Sequence, residues 1–264
     1  MKNRILLIFC GVFLIPAFVS AQHHGSFKKF HFIRDTDTLP YRLLIPVNYD
    51  SAKKYPLILF MHGSGERGND NSSQLNHGGD LFTKDSIMKN YPAIVVFPQC
   101  AARSTWANMT SVTDTATKKR IFGFPVGLPP KQDMKLLMAL ISELETTYPV
   151  NKKRLYVGGL SLGGMGTYDL VNRMPKTFAA AFPICGAGNL STAKIMKKTS
   201  WWIFHGQKDS SVYVEYGKTM AAALKKARAK VKLTIYLEDG HNSWDDAFKE
   251  PGLFAWMFKK NLKN

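Results

Sequence analysis

A serine stands between two glycines where an apolar segment meets a helical one. Residues 155–159 predict a buried strand, and residues 163–174 predict a helix that Pro175 ends. The intervening residues 159–163 read GLSLG. That pattern arises by chance in roughly one chain in ten, and one alternative is that Ser161 merely caps the helix. Its position between strand and helix instead favours a sharp turn with Ser161 exposed above a sheet edge.

Strand-like and helix-like segments alternate along the rest of the chain. Strands are expected at residues 27–34, 41–46, 57–61, 93–98, 179–185, 201–205 and 231–237, and helices at 131–148, 213–228 and 243–261. We expect the first two strands to form a hairpin and the last helix to break near Pro251. This alternation predicts a single-domain α/β fold, with a mainly parallel sheet and helices on both faces. Residues 101–130 fit no element, and a loop of that length is often functional.

The chain begins with a segment typical of a signal peptide. Lys2 and Arg4 precede an apolar run of 15 residues, 5–19, and residues 19–21 read VSA, a small-residue cleavage site. The run is short for a membrane span, although an uncleaved anchor is the alternative. We therefore expect a signal peptide at residues 1–21, a catalytic domain at residues 22–264, and a secreted or periplasmic protein without a stable membrane span.

The positive charge of the chain is spread over many short clusters. The formal net charge is +17, or +15 once Lys2 and Arg4 are removed with the signal peptide. No cluster has the aromatic interleaving or the module of a nucleic-acid-binding protein, so no nucleic-acid partner is expected. Metal-site and dinucleotide motifs are absent from the sequence, so no cofactor is expected. Cys100 and Cys185 remain in the mature chain, either bridged or as buried small hydrophobic residues.

A serine hydroxyl needs a base to become a nucleophile, and the chain offers seven histidines. His62 and His205 end predicted strands, where turn hydrogen bonds are the simpler role. His241 follows the last strand, from which it can reach over the sheet edge, although a surface loop histidine is the alternative. Asp209, just past the strand 201–204, is the candidate acid, and Asp239 is its rival.

Backbone amides are the expected stabilisers of a developing oxyanion. The N–H of Leu162, the residue after the serine, is one candidate. The second is the N–H of Ser64, with Gly63 as alternative, in residues 62–68, which read HGSGERG after the strand 57–61. Small residues there allow a substrate oxygen to approach the backbone.

Five segments together resemble a known family: residues 62–68, residues 97–100 with Trp106, residues 158–167, residues 205–209 and residues 240–241. They are similar to the phospholipase/carboxylesterase-like, "predicted peptidase" branch of the α/β-hydrolases. That branch is close to feruloyl and acetyl-xylan esterases and to the prolyl-oligopeptidase catalytic domain. The resemblance covers about residues 27–262. It implies an α/β-hydrolase fold and a triad of Ser161, Asp209 and His241, and it leaves the substrate open.

These observations predict a secreted serine carboxylic-ester hydrolase. Its expected substrates are short-acyl or aryl esters, as small molecules or linked to a polysaccharide. Trp106 and Phe124, in the irregular segment, are expected to stack on a sugar or an aromatic acyl group, unless they only pin the loop to the core. Two alternatives stay open: a serine peptidase of the prolyl-oligopeptidase type acting on short peptides, and a catalytically silent hydrolase-fold binding protein.

Overall fold

A computed structural model describes residues 27–262 of the chain. The predicted signal peptide at residues 1–21 lies outside the described residues. The strands are β1 (Lys28–Arg34), β2 (Asp37–Leu44), β3 (Tyr55–Met61), β4 (Ile94–Pro98), β5 (Thr110–Thr113), β6 (Arg120–Gly123), β7 (Val150–Leu160), β8 (Phe178–Ile184), β9 (Ser200–Gly206) and β10 (Val231–Tyr236).

The helices are α1 (Gly79–Thr83), α2 (Asp85–Asn90), α3 (Gln132–Thr147), α4 (Leu162–Arg173), α5 (Val214–Lys226), α6 (Trp244–Ala247) and α7 (Leu253–Phe258). Three 3-10 segments span Ser64–Glu66, Ser73–Leu75 and Leu190–Lys198. No helix within residues 27–262 is long and apolar enough to cross a bilayer.

Eight strands form one sheet in the order β1-β2-β4-β3-β7-β8-β9-β10. Strands β4, β3, β7, β8, β9 and β10 pair in parallel, while β2 pairs antiparallel with β1 and with β4. The predicted α/β-hydrolase fold with a mainly parallel sheet is confirmed. The hairpin between β1 and β2 also forms where it was expected.

Two hydrophobic clusters cover the two faces of the sheet. Side chains alternate between faces along a strand, so Leu57 and Leu59 of β3 join one cluster while Ile58 and Phe60 join the other. Helices α3, α4 and α5 complete the first cluster, and α1, α6 and α7 complete the second. Because both faces are covered, every residue of β3, β8 and β9 is buried.

The helix expected at residues 243–261 is divided into α6 and α7, and its break near Pro251 was predicted, because proline supplies no N–H and its ring clashes with a preceding helical turn. Other elements differ from the sequence prediction. The irregular segment 101–130 contains an antiparallel ribbon of β5 and β6, separate from the main sheet. Strand β7 begins at Val150, five residues earlier than expected. Its first half was missed because it carries polar side chains and so shows no apolar run in the sequence.

Candidate active site

Ser161 lies in the tight turn that joins β7 to α4. Its backbone has φ 52° and ψ −113°, a conformation that non-glycine residues rarely adopt. Gly163 makes the turn possible, because a Cβ there would lie 2.0 Å from the carbonyl oxygen of Met61 in β3. The turn therefore holds the serine above the carboxyl ends of the parallel strands, the edge where open α/β sheets bind their ligands.

The structure brings Ser161, His241 and Asp209 together from three separate strand ends. Nε2 of His241 lies 2.9 Å from Oγ of Ser161, and Nδ1 of His241 lies 2.8 Å from Oδ2 of Asp209. An ionised carboxylate only accepts hydrogen bonds, so the Nδ1–H of His241 donates to Asp209. Nε2 of the neutral imidazole is then left as the acceptor for the serine hydroxyl, which is the tautomer that proton transfer from serine requires.

The carboxylate of Asp209 is held ionised. Its side chain is fully buried, and Oδ1 accepts hydrogen bonds from the backbone N–H groups of Ser211 (2.8 Å) and Val212 (2.9 Å). Burial alone would raise the pKa of Asp209, but the interactions with His205, His241 and the Val212 N–H outweigh it and hold that pKa far below its usual range. Asp209 is therefore charged throughout the neutral pH range.

His205 is a neighbour of Asp209 that sequence reasoning placed only in a turn. Its Nε2–H donates to the carbonyl oxygen of Val212 at 2.6 Å, as a turn histidine does. The same nitrogen lies 3.4 Å from Oδ2 of Asp209, and the His205 side chain is fully buried. The sequence feature that could have indicated this contact is the short spacing, four residues, between His205 and Asp209. The structure shows that one short loop packs both groups behind His241.

Ser64 and Leu162 line the same cleft as Ser161 and His241, which has a volume of about 200 Å³. Each is the first residue of a helical segment, so neither N–H needs an intrahelical partner. Gly63 lets the first loop pack against the end of β7, because a Cβ at that position would lie 2.7 Å from Cδ1 of Leu160, the residue before the serine. Two residues at helix starts therefore line the cleft beside the serine, and an oxyanion site requires backbone donors at such positions.

The rest of the cleft wall is largely apolar: Met109, Phe122, Met165 and Val212. Arg120, an exposed residue of β6, also lines it, with its guanidinium 4.8 Å from the centre of the Phe122 ring. The ribbon of β5 and β6 therefore supplies one wall of the cleft. Its strands were not predicted, because each has only four residues and lacks a clear alternation of polar and apolar side chains.

Trp106 does not stack on a substrate, and that prediction was wrong. Its side chain is 0% exposed, and its Nε1–H donates to the carbonyl oxygen of His62 at 3.2 Å. The indole therefore pins its loop to the core, the alternative stated above. Phe122 from the same segment lines the cleft in its place, and Phe124 lines a neighbouring cavity.

His62 supports the loop that carries Ser64. Its Nδ1–H donates to the carbonyl oxygen of Gly63 at 2.6 Å, and its Nε2 accepts the backbone N–H of Cys100 at 2.9 Å. Both ring nitrogens of a neutral His62 are therefore engaged in hydrogen bonds. Burial, the main cause, lowers the pKa of His62 to about 4.

We expect His62 to make the folded protein sensitive to acid. The unfolded histidine titrates at 6.5 and the folded one at about 4, so the unfolded state binds more protons between these values. Stability is therefore lost as pH falls from 6.5 to 4, by on the order of 3 kcal/mol. Urea unfolding at pH 7 and pH 4 should show this loss in wild type and a smaller loss in His62→Gln, which cannot titrate. Equal losses in both proteins would contradict this role.

One group of three potential metal ligands occurs within residues 27–262: Cys185, Asp209 and His241. Metal binding requires a thiolate, but burial raises the pKa of the Cys185 thiol well above its usual range. Both oxygens of Asp209 and Nδ1 of His241 are already engaged with each other or with the backbone. The donor set therefore suits a proton-transfer chain better than a metal. Cys100 and Cys185 are both buried free thiols, so no bridge joins them.

Comparisons with known proteins agree with the fold and the resemblance. The phospholipase/carboxylesterase family model matches residues 46–251. A crystal structure of a thermostable esterase is 31% identical with a TM-score of 0.80, over 90% of this chain and 64% of that one. A ferulic acid esterase from Anaeromyces mucronatus, solved with ferulic acid, is 15% identical with a TM-score of 0.62, over 89% and 90% of the two chains.

A curated relative matches by sequence over a shorter stretch. The bifunctional acetylxylan esterase/xylanase of Neocallimastix patriciarum is 23% identical over 159 residues, which are 60% of this chain and 20% of that protein. The chain thus spans about a fifth of this relative and less than two thirds of the thermostable esterase.

Proposed function

The chain belongs to the phospholipase/carboxylesterase family of α/β-hydrolases, and from this membership we propose that it is a serine carboxylesterase with Ser161 as nucleophile, His241 as base and Asp209 as acid. It is an esterase-type hydrolase related to acetylxylan and feruloyl esterases. The observation that carries the finer proposal is the hydrogen-bond chain from Ser161 Oγ through His241 to Asp209, at 2.9 and 2.8 Å.

Acylation begins when His241 takes the hydroxyl proton of Ser161 on Nε2. The serine oxygen bonds to the ester carbonyl carbon, and the carbonyl oxygen becomes an oxyanion that accepts hydrogen bonds from the Leu162 and Ser64 N–H groups. Asp209 stabilises the imidazolium through Nδ1 without taking the proton. His241 then gives its proton to the alcohol oxygen as the carbon–oxygen bond breaks, which leaves an acyl-serine and a free alcohol.

Deacylation repeats these steps with water as nucleophile. His241 accepts a proton from water, the hydroxide oxygen bonds to the acyl carbon, and the same two amides hold the second oxyanion. His241 then protonates Ser161 Oγ as the acid leaves, which restores the starting state. Asp209 keeps the required tautomer throughout because its pKa is too low for it to be protonated at neutral pH.

The cleft favours esters with small acyl groups. Its volume is about 200 Å³ and only a few side chains make up its apolar wall, whereas a long acyl chain requires an extended apolar groove. The activities of two similar proteins, an acetylxylan esterase/xylanase and a ferulic acid esterase, support a polysaccharide-linked acetyl or aryl ester as substrate. The proposed protein is secreted to the periplasm or the medium, where an enzyme can encounter polysaccharide substrates.

A substrate panel tests this choice. We expect kcat/KM for acetyl or feruloyl esters to exceed that for a long-acyl ester of the same alcohol by about tenfold or more, since each misfitting methylene group counts in an apolar site. A prolyl or arginyl peptide amide should be hydrolysed more slowly still. Initial rates with pure protein measure this. Fastest turnover of the long-acyl ester or of the amide would overturn the substrate class and leave the triad standing.

A further inference from the structure

Arg120 carries the only permanent charge among the described residues that line the cleft of Ser161. No acidic residue in the described part of the chain lines this cleft, because the carboxylate of Asp209 is fully buried behind His241. Arg120 also makes no ion pair within residues 27–262. Its side chain is exposed, so a molecule in the cleft can reach the guanidinium.

Two contacts within the ribbon of β5 and β6 restrict the orientation of this guanidinium. Arg120 and Phe122 are two residues apart in β6, so they share the face of the ribbon that lines the cleft. Nε of Arg120 donates to Oγ of Ser111 in β5 at 2.6 Å, and Cζ lies 4.8 Å from the centre of the Phe122 ring. The terminal nitrogens Nη1 and Nη2 make no hydrogen bond to the described residues. These two nitrogens can bind a carboxylate through two parallel hydrogen bonds.

The ribbon is itself attached to the domain beside the triad. The backbone N–H of Phe122 donates to the hydroxyl of Tyr216 at 2.8 Å, and the two rings meet edge to face at 6.0 Å. Tyr216 belongs to α5, which begins five residues after Asp209. Because these contacts already restrict Arg120, a ligand that binds it loses less side-chain entropy than one that binds a free surface arginine.

We infer that Arg120 is a specificity-determining residue that binds a carboxylate of the substrate, an inference that rests on the proposed esterase function. Arg120 and Ser161 line one cleft of about 200 Å³, so a single small ester contacts both. The carboxylate belongs either to the acid half, as in a half-ester of a dicarboxylic acid, or to the alcohol half, as in an acylated uronic acid or hydroxybenzoate. The formal net charge of +17 also favours the approach of an anionic substrate.

Binding to Ser161→Ala protein tests this recognition without turnover. The two candidate sources of the carboxylate are compared by NMR titration with two pairs of esters. The alcohol-half pair is 3-acetoxybenzoate and its methyl ester, and the acid-half pair is phenyl hydrogen glutarate and phenyl methyl glutarate. In one pair the carboxylate ester should have a Kd about tenfold lower than its neutral partner, the scale of a hydrogen bond to a charged group.

Variants of Arg120 should alter this preference in a graded way. In the Ser161→Ala background, Arg120→Gln should abolish it, because the charge and both terminal donors to a carboxylate are lost or neutralised. Arg120→Lys should keep part of it, because an ammonium group retains the charge but lacks the planar pair of donors. A preference that Arg120→Gln leaves intact, or the failure of both carboxylate esters to bind more tightly than their neutral partners, would overturn the proposal.

Lys119→Gln is the matched control, because it removes the same charge one residue away. Lys119 does not line the cleft, and its Nζ lies 5.1 Å from the centre of the Tyr213 ring. The preference for the carboxylate ester should therefore remain in Lys119→Gln. An equal loss in Lys119→Gln and Arg120→Gln would show that the overall positive charge, and not a contact with Arg120, selects the anionic ester.

Kinetics with active protein give a second readout. In Arg120→Gln, the ratio of kcat/KM for the carboxylate ester to that for its neutral partner should fall about tenfold, mainly through KM, because ground and transition states share this contact. A ratio within one protein cancels any general damage to the fold. If wild type hydrolyses no ester, the proposed function fails, and the titration still decides whether Arg120 binds a carboxylate. If the ratio is the same in both proteins, the specificity assignment fails and the esterase stands.

Discussion

Ser161→Ala should lower kcat for 4-nitrophenyl acetate by roughly 10⁴- to 10⁶-fold, because no other group can form the acyl intermediate. His241→Ala should lose about as much, and the double variant little more, since the two side chains act as one unit. The residual rate should come from the Leu162 and Ser64 amides and from substrate binding. Stopped assays with titrated, pure protein measure these rates.

The fold should survive Ser161→Ala. The only side-chain hydrogen bond of Ser161 within residues 27–262 is the one to His241, and alanine meets no more strain than serine at φ 52°. Thermal unfolding should therefore match wild type. A folded Ser161→Ala protein that retains more than about a tenth of the wild-type kcat would place the nucleophile elsewhere.

Asp209→Asn should lower kcat by roughly 10³- to 10⁴-fold, less than Ser161→Ala. The N–H groups of Ser211 and Val212 require an oxygen at the Oδ1 position. The new NH₂ group is thereby forced to face Nδ1 of His241. Since it can only donate, the imidazole must place its own proton on Nε2, where it can no longer accept the proton of Ser161. The measurement is kcat across pH 6–9 for both proteins.

Asp239→Asn is the matched control, because it removes an equal charge two residues before His241. Asp239 makes no side-chain hydrogen bond to His241 in the described part of the chain, so most of the wild-type kcat should remain. If Asp239→Asn lost more activity than Asp209→Asn, the acid that orients His241 would be Asp239 and not Asp209.

The catalytic candidates could be predicted because each follows a strand that sequence patterns reveal. The apolar runs before Ser161, Asp209 and His241 correspond to β7, β9 and β10. Parallel strands place their carboxyl ends at one edge, so three distant residues were expected to meet there. The local sequence pattern and the fold topology were therefore enough to predict that these three residues lie close together.

The supporting contacts could not be predicted, because they depend on packing between distant segments. The tautomer of His62 is set by the N–H of Cys100, 38 residues away. The burial of Trp106 depends on the same loop contact, through its bond to the His62 carbonyl 44 residues away. An aromatic side chain in an irregular loop can face solvent or core, and only the tertiary structure decides between these.

Covalent labelling of the intact protein identifies the nucleophile in one measurement. A fluorophosphonate should add one phosphonyl group per chain, and peptide mass mapping should find it on Ser161, with loss of esterase activity in proportion to labelling. Asp209→Asn should label far more slowly, and Ser161→Ala should not label at all. An adduct on any other residue, or full esterase activity in a fully labelled protein, would show that Ser161 is not the nucleophile.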